Sequence, residues 1–193
     1  MKKVLAFIFA IILVSTPAFS ASELMLLDFD TGDKPNNVGG DFGGWDKDPN
    51  DDTQGCVIGF IFGEDPTGNP DGYSLQLDYD VDSPNPAYNG FWTKLEGEDF
   101  SDFDTLNIYI KGDAEAGFAT RVKLELKDFQ TASPFLLNGI TDQWQKFSIP
   151  FEKFTRIRDW STMNELVMIF DDVNSSPKSG TIYVDQISVS KEL

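Results

Sequence analysis

The sequence predicts an all-β fold, a β-sandwich of jelly-roll type with about ten short strands. Apolar and polar residues alternate over short runs, the period of a strand that buries one face. Clusters of Gly, Pro, Asn, Asp and Ser at 66–72, 83–86 and 174–180 separate these runs, and each favours a turn. No long segment carries a 3.6-residue period, so helix is confined to single turns, expected at 99–103 or 161–164.

The first strand is expected at 24–30 and the second at 54–62, where Cys56 reads as a small buried hydrophobe. Between them the Gly-rich stretch that holds Trp45 reads as a loop. In 74–81, Leu75, Leu77, Tyr79 and Val81 alternate with Ser74, Gln76, Asp78 and Asp80. A strand at 89–95 follows. Leu106, Ile108 and Ile110 then alternate with Asn107, Tyr109 and Lys111, and Val122, Leu124 and Leu126 with Arg121, Lys123, Glu125 and Lys127. The last four strands are expected at 135–140, 144–149, 165–171 and 181–190. Pro150 closes the run that Trp144 opens, because proline brings no amide donor to a ladder. Trp144 is expected as a rim residue packed over the end of the sandwich, the alternative being a ring that stacks on a sugar.

Lys2 and Lys3, an apolar run over 4–14 and small residues at 18 and 20 make residues 1–20 a secretory signal peptide, with cleavage expected between Ser20 and Ala21. The apolar run is too short to span a bilayer, so no membrane insertion is expected. Residues 21–193 show no linker or shift in composition and are expected to form one secreted domain, periplasmic or extracellular. A single cysteine allows no internal disulfide.

The formal charge of −17 counts Lys2 and Lys3, and without them the chain carries −19. So acidic a surface repels phosphate backbones and excludes nucleic acid as a partner, leaving neutral polymers and cations. Catalytic signatures are missing as well. The chain has no histidine, which removes Ser-His-Asp and Cys-His arrangements and every His-containing metal site. The stretch Val38-Gly39-Gly40-Asp41-Phe42-Gly43-Gly44-Trp45 lacks the spacing of a phosphate-binding loop. Asp46, Asp48 and Asn50 match the first ligand positions of an EF-hand, but Asp51 and Val57 stand where glycine and glutamate are required, so this loop reads as solvated.

The segments LLDFD, GYSLQLDYDV, YNGFW, FDTLNIYIKGD, VKLELKD, ITDQWQKFSIPFEKF, MNELVMIFDD and GTIYVDQISVS occur in an order that resembles the family 11 carbohydrate-binding modules. They equally resemble the related galactose-binding-like jelly rolls, among them the complex I intermediate-associated domain. The resemblance covers 24–190 and implies a galactose-binding-like β-sandwich. It also implies a calcium site between a carboxylate at the end of the first strand, here Asp30, and one in the last, here Asp185.

For a ligand, the informative residues are outward aromatics, on which the flat C–H faces of sugars stack, and polar groups placed to meet hydroxyls. The candidates are Trp45, Tyr88, Trp92, Tyr109 and Trp160, with Tyr183 outward on the last strand, and Arg121, Lys123 and Asp128 as polar partners. Together these readings predict a secreted, monomeric, non-catalytic module that binds a neutral polysaccharide or oligosaccharide and carries a structural calcium. An extracellular protein-interaction or assembly module on the same fold is the alternative, and a small glycan-cleaving enzyme the third reading.

Overall fold

The computed structural model describes residues 22–191, and the expected signal peptide lies outside the described residues. Eleven strands follow one another: β1 (Glu23–Leu27), β2 (Phe42–Asp46), β3 (Gly55–Phe62), β4 (Tyr73–Asp80), β5 (Tyr88–Glu98), β6 (Thr105–Gly112), β7 (Arg121–Asp128), β8 (Ala132–Asn138), β9 (Gln145–Pro150), β10 (Met163–Asp171) and β11 (Ser179–Ser190). The sheets are antiparallel. One runs β3-β4-β11-β6-β9, with β1 also paired to β11; the other runs β2-β5-β10-β7-β8.

The alternation seen in the sequence places the core. Leu75 and Leu77 of β4, Leu106, Ile108 and Ile110 of β6, and Ile182 and Val184 of β11 point inward from the first sheet. Phe91 of β5, Leu124 and Leu126 of β7, and Leu166, Met168 and Phe170 of β10 meet them from the second, and all are fully buried. Tyr79 stacks on Phe170 across the two layers, with ring centroids 4.0 Å apart and 7° between planes. At one end Phe29, Phe42, Phe60 and Phe91 form a ring cluster with centroids 5.7–6.4 Å apart. The dominant stabilisation is this removal of apolar surface from water.

Three expectations need correction. The stretch around Trp45 is a strand, β2, paired to β5 with Trp45 opposite Gly90. Its glycines disguise it, yet they are what the packing demands: a Cβ on Gly44 would lie 2.4 Å from the carbonyl oxygen of Cys56 on β3. Of the two expected helical turns, 99–103 closes a single hydrogen-bonded turn, the Phe103 amide donating to the Phe100 carbonyl at 3.0 Å, and 161–164 closes none; the helix present among the described residues is a 3-10 turn, Phe151–Lys153, just after Pro150. Trp144 is half-buried and lies outside the core cluster, whereas Trp160 packs against that core, its ring 4.1 Å from Phe151 and nearly parallel to it.

Cys56 is half-buried against the core, and burial, with Asp78 nearby, pushes its thiol up to about 12. It is an inert packing residue.

Phe91→Ala should cost about 3–5 kcal/mol, because it removes a fully buried ring that packs on Phe29 and Phe42 and leaves a cavity between the sheets. A urea titration comparing the two proteins measures it, and a loss under about 1 kcal/mol would contradict this account of the core.

Candidate functional site

The outer face of the β2-β5-β10-β7 sheet carries a groove of about 590 Å³. Register dictates its lining. Trp45 stands level with Gly90, Ile169 and Lys123 across four adjacent strands; Trp92 stands level with Gly43, Val167 and Glu125; Lys94 stands level with Glu165 and Lys127. Tyr88 and Asp171 close one end. Side chains two apart on a strand share a face, so one sheet presents an aromatic wall from β2 and β5, an apolar floor from β10 and a charged wall from β7.

Two glycines shape the aromatic wall. Gly43 has no side chain to lift the Trp92 indole, whose nearest atoms would be 3.4 Å from a Cβ there. Gly90 lies beside Trp45 with φ 156°, and a Cβ on it would fall 1.9 Å from the carbonyl oxygen of Met168. The Trp45 and Tyr88 rings meet edge to face at 5.9 Å. Ammonium groups sit over the rings, Lys94 at 5.6 Å from Trp92 and Lys47 at 5.4 Å from Tyr88, within cation–π range. The loops behind this wall are tied together by Asp51, which accepts from Thr53 Oγ1 at 2.6 Å, Asn85 Nδ2 at 3.0 Å and Gln54 Nε2 at 3.1 Å. These bonds, led by that from Thr53, hold the Asp51 carboxyl far below the usual range.

The floor is neutral and the charges balance. Val167 and Ile169 are 4% and 7% exposed, buried between neighbours although they face outward. Lys94, Lys123 and Lys127 are matched by Glu125, Glu165 and Asp171. Glu165 bonds Lys94 on one side and Lys127, at 2.7 Å, on the other. Burial raises its carboxyl, but the bonds from Lys127 and Lys94 outweigh burial and hold it below its ordinary value of 4.5. Asp171 is likewise held low: burial opposes, while Asn174, the Val173 amide and Lys123, whose ammonium is 3.8 Å away, prevail.

Of the residues proposed from sequence, the groove unites Trp45, Tyr88, Trp92 and Lys123. Arg121 is exposed at the start of β7, beyond the lining. Asp128 caps the β7–β8 hairpin, accepting from the Gln130 and Thr131 amides, and lies outside the groove lining. Tyr109 lies on β6, in the other sheet, and Trp160 is engaged with Phe151; neither can reach the groove. Lys94, Glu125, Lys127, Glu165, Val167, Ile169 and Asp171 were not singled out. The first three could have been found by extending the two-residue period from Trp92 and Lys123, but the middle of β10, Leu166 to Phe170, is an unbroken apolar run that hides which residues face outward.

A second cluster lies where β11 bulges between Asp185 and Ser188, with Gln186 at φ 46°. Asp185 is fully buried; its Oδ1 accepts from the Gln186 amide at 2.7 Å, and its Oδ2 has no hydrogen-bond partner among the described residues. Burial, reinforced by Asp65, Asp30 and Asp28, pushes its carboxyl up to about 8. Asp65 also has a buried, unpartnered oxygen. The Asp65 and Asp30 carboxylates converge on Gly72, where a Cβ would lie 2.6 and 2.7 Å from them. Burial, Asp28 and Asp65 raise the Asp30 carboxyl too. Among the described residues no three such side chains close round a single point. The donor set is nonetheless all hard oxygen, and mutual repulsion at a buried, unpartnered carboxylate is what a divalent cation relieves, so the residues fit one.

A family model described as carbohydrate binding domain 30 matches residues 60–191. The family 11 carbohydrate-binding module from Clostridium thermocellum, solved with a β-1,3-1,4-mixed-linked tetrasaccharide, superposes with a TM-score of 0.63 at 17% identity over 90% of this chain and 98% of that one. The CBM22-1 xylan-binding domain of Paenibacillus barcinonensis Xyn10C gives 0.51 at 13% identity over 90% and 99%. A Stig cyclase from Fischerella sp. TAU gives 0.52 at 11% identity over 88% and 98%, so the same sandwich also serves an enzyme. A search of curated protein sequences found no match.

The Glu165 ion triad makes stability depend on acid. A carboxyl held below its unfolded value stabilises the fold fully above about pH 4.5, and that contribution is lost as pH falls through the lowered folded value. The urea midpoint should therefore drop between about pH 5 and pH 3, and Glu165→Gln, weaker at neutral pH, should show a shallower drop over the same range. Parallel curves for the two proteins would contradict the triad's role.

Proposed function

Because the chain belongs to the carbohydrate binding domain 30 family, we propose that the groove on the β2-β5-β10-β7 face is its glycan site and takes a neutral polysaccharide or oligosaccharide. The observation that carries this reading is the assembly of Trp45, Tyr88 and Trp92 along one wall, above an apolar floor and facing a wall whose charges are already balanced. Aromatic faces stack on the C–H faces of sugar rings, and the lysines and carboxylates opposite supply hydroxyl partners. A uronic acid would find the lysines that line the groove already matched by carboxylates, with an acidic protein around them. Neither Glu165 nor Asp171 suits a general acid, since both are held ionised, and glycoside hydrolysis needs one carboxyl raised. The module binds without cleaving, as a secreted monomer released from its signal peptide near Ser20 and Ala21. No helix among the described residues is long and apolar enough to cross a membrane.

A structural calcium at Asp30 and Asp185, with Asp65 as a third carboxylate, completes the proposal. Bound there, a calcium would neutralise the repulsion among these groups and draw its remaining ligands from oxygens nearby. The support is the unpartnered oxygens of Asp185 and Asp65.

Affinity electrophoresis in soluble mixed-linkage β-glucan, the glycan class bound by the Clostridium module, is the direct test, paired with a reducing-end assay. Retardation without new reducing ends is expected; release of sugar overturns the non-catalytic reading, and no retardation on any neutral glycan favours a protein partner. Trp92→Ala should weaken binding roughly 10- to 30-fold, the loss of about 1.4–2 kcal/mol at a stacking contact, with little change in Tm.

A chelator should lower the Tm by several degrees, since a ligand that binds only the folded state at a hundredfold excess over Kd adds about 2.7 kcal/mol. Asp185→Ala should no longer respond to calcium. An unchanged melting curve with chelator removes calcium from this account.

A further inference from the structure

Trp144, the ring that neither the core nor the groove uses, points to a second element of the cation site. It opens the run into β9 on the outer face of the sheet opposite the groove, level with Lys111 of β6 by the register of Ile110 with Gln145. Lys111 in turn stands opposite Tyr183 of β11, two residues before Asp185. Its ammonium lies 5.8 Å from the Trp144 ring and 5.1 Å from the Tyr183 ring, and 2.5 Å from Glu64 Oε2. The Lys111 side chain is 21% exposed, so this ion pair is partly shielded by the two rings rather than free in solvent. Glu64 immediately precedes Asp65, and the loop that holds both closes on itself through the Gly63 amide, which donates to the Gly72 carbonyl at 2.9 Å.

We infer that Lys111, steadied by Trp144 and Tyr183, is a positioning residue for the calcium site: by holding Glu64 it fixes the 63–72 loop so that Asp65 faces Asp185 and Asp30. The inference rests on the calcium reading above. The physical reason is ordering. Asp65 sits on a loop of ten residues rich in Gly and Pro, and it approaches two other carboxylates that repel it in the absence of a cation. Unless the loop is anchored from outside the cluster, ion binding must order it and bear that entropy cost. Glu64 is the neighbouring residue that can be anchored without entering the acidic cluster, and Lys111 is the cation set on a rigid strand to do it. Tyr183 is itself fixed, donating from its hydroxyl to Asp113 at 2.7 Å.

Isothermal titration of the mature chain with calcium chloride tests the clamp, with melting curves in chelator as the control for folding. Lys111→Met should raise the calcium Kd roughly tenfold while leaving the Tm in chelator within a few degrees of wild type. Glu64→Gln, at a half-exposed loop position and nearly isosteric, should give the same loss. Lys111→Arg should restore affinity, because a guanidinium keeps both the ion pair and the stacking. The clamp is overturned if wild type and both loss variants bind calcium equally, or if affinity falls only in step with the Tm in chelator. A wild type that takes up no calcium overturns the clamp and the calcium reading together, an outcome distinct from the first.

Discussion

The rest of the fold depends on one long strand and the break in its pairing. β11 runs for 12 residues through the middle of its sheet, paired on one side to β6 from Ile182 to Asp185 and again from Ser188 to Ser190, and on the other to β4 and then to β1. Two short strands sharing one flank of a long one leave a gap where the first ends and the second begins. The bulge at Asp185 and Gln186 falls in that gap. A bulge turns a side chain from its regular direction, and here it leaves a carboxylate buried with an oxygen unpaired. Asp28 and Asp30 come from the end of β1, and Gly72 and Tyr73 from the start of β4, so the gap collects groups from both ends of the chain.

The opposite sheet solves a different problem. Its central strand, β10, is apolar on both faces over its middle, Leu166 to Phe170, which would ordinarily leave an exposed hydrophobic strip between Glu165 and Asp171. Tall neighbours on either side, the aromatic rings of β5 and β2 and the lysine ladder of β7, turn that strip into the floor of a groove. Glu165, set between Lys94 and Lys127, ties the two walls across the floor. A chain with 32 acidic and 15 basic residues thus gathers three lysines on one face and cancels them there, which makes the groove a neutral island on an acidic surface.

Individual residues mark how far the sequence could be read. Where a buried apolar face alternates cleanly with a polar one, period two placed the strand, as for Leu75 to Val81, Leu106 to Ile110 and Val122 to Leu126. β2 escaped because Gly43 and Gly44 satisfy close approaches to Trp92 and to β3, neither of which leaves a local pattern. Trp160, expected at a ligand, packs on Phe151 for a related reason. Trp144 and Trp160 both follow polar turn residues, and only the packing of the segment after Pro150 decides which one meets Phe151 and which is left to Lys111.

What the sequence determined by itself is the class of fold, its inward-facing residues, its strong negative charge and its want of histidine chemistry, because composition and short-range period are local properties of the chain. It also singled out Trp45, Tyr88 and Trp92, which the structure brings together along one groove. Tertiary structure alone decided that Lys94, Glu165 and Lys127 form one ion triad, that Tyr109 and Trp160 lie away from the groove, and that Asp65 joins Asp30 and Asp185. Those partnerships depend on strand order and register between segments far apart in the chain, and a side chain's own neighbours in sequence carry no record of which distant strand will lie beside it.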